Sequence, residues 1–108
     1  MKRTRNTVIK ESDESRELFL YASNDGDIYR TNIVPTVRNL AKKYNKGTFD
    51  ADKAIDAFYY VADAAARKYC KEFAHIEDAP RIFNVTARFT CAAEMVNYYM
   101  ENIENNDF

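Results

Sequence analysis

The chain has 108 residues, a formal net charge of −1, two glycines, two prolines and no tryptophan among fifteen aromatic residues. That length fits one domain with a modest core. So few turn-forming residues exclude an all-β sandwich or barrel, which needs many tight turns, and a near-neutral charge excludes a chain that binds polyanions by composition alone.

Residues 1–10 carry Lys2, Arg3, Arg5 and Lys10 and no acid. They are expected to form a flexible basic arm, with Val8 and Ile9 able to pin its end, ahead of a single domain over 11–108. Ser12 is placed to cap a first helix over about 13–24, with Asp13 and Glu14 in its opening turn, where negative charge suits the helix dipole. Leu18, Tyr21 and Ala22 would face inward. Asn24-Asp25-Gly26-Asp27 is a strong turn signal, and Asp27 is expected to cap a second helix over about 28–45. The apolar line Tyr29, Ile33, Val37, Leu40, Ala41 and Tyr44 continues across Pro35, which predicts a helix kinked at that proline.

Gly47 follows a basic run and is a natural helix stop, because glycine adopts the left-handed conformation without steric cost. Asp50 then caps a third helix over about 51–73. Its apolar residues Ala54, Phe58, Val61, Ala62, Ala65, Tyr69 and Phe73 keep helical spacing. Residues 74–83 read as a connector holding His75 and Pro80. Asn84 caps a fourth helix over about 84–103, whose line Val85, Phe89, Ala92, Val96, Tyr99 and Ile103 makes a heptad-like seam widened by Ala93 and Met100. The simplest architecture is all-α, a compact bundle of about four helices with the third and fourth at its centre.

Catalytic templates find no match. His75 is the only histidine, and it lies across a helix end from Cys70 with no orienting acid evident. Three Cys and His residues in total fall short of a zinc site, and Gly26 and Gly47 are isolated, so there is no phosphate loop. Asp52, Asp56 and Asp63 share a face of the third helix and read as a solvated polar surface. No enzyme activity, cofactor or metal is expected. Cys70 and Cys91, on different helices, read as small core or half-buried thiols. No long apolar run predicts a membrane span, and no apolar segment follows the basic start, so a cytoplasmic location is expected.

Two groups of residues stand out as partner-binding candidates. Residues 28–49 contain Arg30, Arg38, Lys42, Lys43 and Lys46 and no acid. The spacing of Arg38, Lys42 and Lys46 puts them on one helix face, suited to an acidic surface or to sequence-blind contact with phosphates. Tyr59-Tyr60 and Tyr98-Tyr99 are doubled tyrosines. Successive helical residues point about 100° apart, so Tyr59, Tyr60 and Tyr98 should sit beside their helices' core stripes, where tyrosine serves protein interfaces.

The phrases LFLYASNDGDIYR (Leu18–Arg30), KGTFD (Lys46–Asp50) and AARKYCKEF (Ala65–Phe73) resemble a set of small all-helical proteins of bacteriophages and mobile elements. The basic arm and the residues after Phe73 match that set poorly. The resemblance implies a phage protein working in bacterial cytoplasm. It further implies a non-enzymatic binder of a host or phage protein, such as an inhibitor of a bacterial defence complex of the CRISPR effector kind. Nucleic-acid binding through the second helix and the arm is the alternative. The oligomeric state, monomer or homodimer, is left open by the seam on the fourth helix.

Overall fold

The computed structural model describes residues 13–74 and 84–105. Four helical segments follow in order, and no strand occurs among the described residues. They are α1 (Asp13–Asn24), a composite α2 (Gly26–Ile28, a π-helical turn Tyr29–Ile33, then Val34–Asn45), α3 (Ala51–Glu72) and α4 (Val85–Glu104). The expected cap at Ser12, the arm with Val8 and Ile9, and the connector residues His75 and Pro80 lie outside the described residues.

Short polar side chains punctuate the chain. Asp50 accepts from the Lys53 N–H at 3.1 Å and opens α3, and Asn84 accepts from the Thr86 and Ala87 N–H groups at 2.7 and 3.2 Å and opens α4. Both satisfy amides that have no partner inside their own helix. At the other end of α2, Gly47 takes φ of 74°. Its N–H reaches the Tyr44 carbonyl at 3.1 Å, and the Thr48 N–H reaches the Lys43 carbonyl at 2.9 Å. This is the two-bond Schellman closure, which needs a left-handed residue at that position.

Asp25, not Asp27, caps α2. Its carboxylate accepts from the Ile28 N–H at 2.9 Å, and Asp27 falls one step inside the helix. Asp25 is the only residue between α1 and α2, and the Lys68 ammonium of α3 meets the same carboxylate at 2.8 Å. The hydrogen bond from Lys68, then that from Ile28, hold the Asp25 carboxyl below its ordinary value of 3.8. In return Lys68 is raised above 10.5, first by that same bond. One residue therefore joins two helices: its backbone N–H closes on the Tyr21 carbonyl of α1 at 3.0 Å, and its side chain starts α2 and ties that corner to α3.

Pro35 does not break α2, and the expected kink is replaced by a π turn just before it. Proline cannot donate to the carbonyl four residues back, and its ring crowds that carbonyl in a regular α-helix. The wider π turn relieves the crowding. Here the Val34 N–H reaches the Tyr29 carbonyl five residues back. The Thr31 and Thr36 hydroxyls donate to the Asp27 and Asn32 carbonyls at 2.6 and 2.7 Å, adding side-chain partners in the widened stretch.

The core gathers Leu18 and Ala22 of α1, Ile28, Ile33, Val37 and Leu40 of α2, and the inner faces of α3 and α4. α3 and α4 share the largest interface, as expected. Phe58 stacks on Tyr99 at 5.8 Å between centroids, while Asp63 meets Arg88, so the two helices run antiparallel. Buried Ala62, Ala65 and Ala66 on one side, and Cys91, Ala92 and Ala93 on the other, let them approach closely.

Three inward expectations fail. Val85 is 62% exposed, Phe89 41% and Tyr44 41%. The buried face of α4 begins instead at Ala87 and runs through Thr90, Cys91 and Met95, so the seam drawn from Val85 leaves the core at its first two positions.

Two tests follow from the caps. A Cβ at residue 47 meets nothing within 4 Å, so Gly47→Ala carries only the left-handed backbone penalty, about 1–2 kcal/mol. Chemical denaturation should show that loss, and Gly47→Asn should lose less. At Asp25, Asp25→Asn keeps a capping side chain and removes the charge, for a loss of about 0.2–1 kcal/mol. Asp25→Ala removes the cap as well, for about 1–3 kcal/mol in total. Because the folded Asp25 value is depressed, its charge contribution is present above the ordinary value of 3.8 and is lost as pH falls through the folded value. The gap between wild type and Asp25→Asn should therefore be constant near neutrality and close in acid.

Candidate functional site

The second half of α2 carries Arg38, Lys42 and Lys43, and its C-cap is Lys46, all exposed. None has a carboxylate within salt-bridge distance among the described residues. Four other cations are matched, whereas Lys53 and Lys71, like the α2 set, have no carboxylate within that distance among the described residues. Arg30 meets Asp27 at 2.7 Å, Lys68 meets Asp25, and Arg67 and Arg88 share Asp63 at 2.8 and 3.0 Å. The structure thus separates Arg30 from the set in which the sequence placed it: it sits on the π turn and is neutralised one helical turn from Asp27. Lys42 and Lys43, near the C-terminal end of α2, also suit that helix's dipole.

Two grooves flank this basic segment, with Phe49 lining both. One, of about 440 Å³, lies between α2 and α3 and includes Thr36, Lys43, Thr48 and Lys53. The other, of about 350 Å³, is bounded by Tyr44, Phe49, Ile55, Val96, Met100 and Glu104. It lies where α2 ends against α3 and α4 and is mainly apolar.

The tyrosines do not form one patch with the cations. Tyr60 is 75% exposed on the outer side of α3. Tyr59 is half-buried, with the Arg88 guanidinium 5.7 Å from its ring centroid. Tyr98, 51% exposed, packs edge-on against Phe19 at 5.8 Å and Tyr99 at 4.9 Å on the α1 side of α4. Tyr59 and Tyr98 sit at the stripe edges, whereas Tyr60 points away from the buried face of α3.

Several interactions were not visible in the sequence. The Asp63 carboxylate bridges two arginines, which removes it from the solvated face shared with Asp52 and Asp56. The Arg67 contact follows from i,i+4 spacing; the Arg88 contact crosses helices and leaves no local signal. Likewise the Tyr21 hydroxyl donates to Glu72 at 2.5 Å and the Tyr69 hydroxyl to Glu17 at 2.9 Å, joining α1 to α3 around an edge-on pair of rings. Burial first, then these carboxylates, push both phenols above their ordinary value.

Among the described residues no three His, Cys, Asp or Glu side chains group in a way that could hold a metal ion, and no helix is long and apolar enough to cross a membrane. Both cysteines are free; Cys70 is half-buried and Cys91 buried, and burial pushes the Cys91 thiol up to about 12. A thiol held protonated and enclosed reacts slowly. An aromatic disulfide reagent should therefore modify Cys70 in the native protein and Cys91 only on unfolding. Equal rates for the two in native buffer would contradict this packing. Comparison with known protein families, curated proteins and solved structures finds no match for this chain.

Proposed function

We propose that this chain is a non-enzymatic binding protein of a bacteriophage or mobile element, acting in the bacterial cytoplasm by docking on a host protein. A defence complex such as a CRISPR effector is the kind of target such a protein would inhibit. The observation that carries the binding role is the unequal pairing of charge. Arg38, Lys42, Lys43 and Lys46 cluster on one segment without a carboxylate partner among the described residues, while Arg30, Lys68, Arg67 and Arg88 are each held by an aspartate. Solvated cations of this kind cost the fold little and remain free to meet an acidic surface, raising the association rate. The exposed Tyr60 and Tyr98 supply the residue type that interfaces favour. The phage setting rests on the resemblance carried by Leu18–Arg30 and Lys46–Asp50.

Nucleic acid is the second reading, since the same cations could contact phosphates. One pair of experiments separates the two. Affinity capture from nuclease-treated bacterial lysate should retain a defined protein with the wild-type chain. It should lose that protein with Arg38→Glu, Lys42→Glu, Lys43→Glu and Lys46→Glu combined. A salt titration against a generic duplex and a single strand should show no binding at low salt. Duplex binding with a steep salt slope, abolished by the same substitutions, would transfer the role to nucleic acid.

A further inference from the structure

α2 and α3 arrange their charges with their own dipoles, whereas α1 has no base in its last turn. α2 has Asp27 in its first turn and Lys42 and Lys43 in its last. α3 has Asp52 first and Lys71 last. α4 alone does the reverse: it has no acid in its first turn and no base in its last. Residues 85–93 hold no acid and the helix's one cation, Arg88, whereas Glu94 stands at its middle and Glu101 and Glu104 in its last turn. Two glutamates at a helix C-terminus oppose the dipole. Neither has a cation beside it among the described residues.

The same helix leaves an apolar stripe unfinished. Val85, Phe89, Ala93, Val96 and Met100 follow spacings of four, four, three and four, so they share one face. At its start the stripe protrudes as exposed Val85 and Phe89. At its end it sinks into the groove closed by Tyr44, Phe49 and Ile55. A protrusion and a recess thus lie on one stripe, with the small Ala93 between them.

The geometry points to a second copy of this chain as the occupant of that stripe, in an antiparallel two-fold dimer. Phe89 of one copy enters the groove beside Val96 and Met100 of the other, and the reverse contact follows by symmetry, as an isologous interface requires. This register sets Phe89 opposite Asn97. It brings Glu101 and Glu104 level with the other copy's α4 N-terminus, whose dipole and acid-free first half attract them. A parallel pairing would instead face glutamate with glutamate. The net charge of −1 offers no general repulsion between copies. One helix face of about 30 Å with a short groove makes a small interface, so association should be weak and reversible. The proposal is independent of the partner assigned to the basic segment of α2, none of whose four cations lines this groove.

Sedimentation equilibrium of the full chain from micromolar to millimolar concentration should show a monomer–dimer equilibrium. Phe89→Glu, and separately Val85→Glu, should weaken dimerisation about tenfold or more, equivalent to roughly 1.4 kcal/mol. Both should keep wild-type helicity, because the replaced side chains are exposed. The paired change Glu101→Lys and Glu104→Lys should also weaken the dimer while raising the monomer's melting temperature, a combination that a purely structural role for these residues would not produce. In a Cys70→Ser background, Phe89→Cys and Asn97→Cys chains should cross-link when mixed, and Asn97→Cys alone should not. A chain that stays monomeric throughout overturns the proposal, whether another protein or residues 106–108 of the same chain cover the stripe. So does a dimer indifferent to Phe89→Glu, or one in which Asn97→Cys links to itself.

Discussion

The antiparallel contact of α3 and α4 is the constraint on which the other elements depend. Small residues surround one large pair: Ala62, Ala65 and Ala66 of α3 and Cys91, Ala92 and Ala93 of α4 are buried, and Phe58 stacks on Tyr99. Small side chains bring the helix axes together, so little tolerance remains for added volume. α1 and α2 then cover what this pair leaves open. Leu18, Ile33 and Val37 are fully enclosed in this arrangement.

Polar contacts fix how the outer helices sit on that pair. Asp25 caps α2 and ties the corner between α1 and α2 to Lys68. The Tyr21–Glu72 and Tyr69–Glu17 bonds hold α1 along α3. Asp63 joins α3 to α4 through Arg88. Each of these is partly solvated and individually worth little. Their use is directional: each selects one placement among the many that hydrophobic burial alone would accept. Aspartate thereby holds Arg30, Arg67, Lys68 and Arg88, while the cations clustered along the second half of α2 keep no such partner among the described residues.

Helix number, helix order and most caps were legible because they rest on local rules. Asn84, Asp50 and Gly47 act on amides and carbonyls within a few residues, and an apolar stripe such as Ala54–Phe58–Ala62 repeats at a fixed interval. Asp25 was missed in favour of Asp27 because both satisfy the local rule, and the deciding contact comes from Lys68 on a distant helix. Val85 and Phe89 were misplaced for a related reason. Periodicity identifies a helix face, and only the positions of other helices decide how far along that face is covered. Of the candidate site, exposure of the cations and of Tyr60 and Tyr98 was readable. Neutralisation of Arg30 by Asp27 was readable in principle from their i,i+3 spacing, whereas the Arg88–Tyr59 contact was not.

The π turn at Tyr29–Ile33 has a geometric consequence for the basic segment. A π turn takes up one more residue than the α turn it replaces, so everything after it is set back by roughly 100° about the helix axis. Val34–Asn45 is therefore out of phase with Gly26–Ile28. That offset turns Ile28, Ile33 and Val37 to the core together, although their spacings do not fit a single unbroken α-helical stripe. It also dials the bearing of Arg38, Lys42 and Lys46 relative to the corner at Asp25. A chain shortened by one residue within this turn would keep the same charges and the same apolar residues, yet face its cations in another direction.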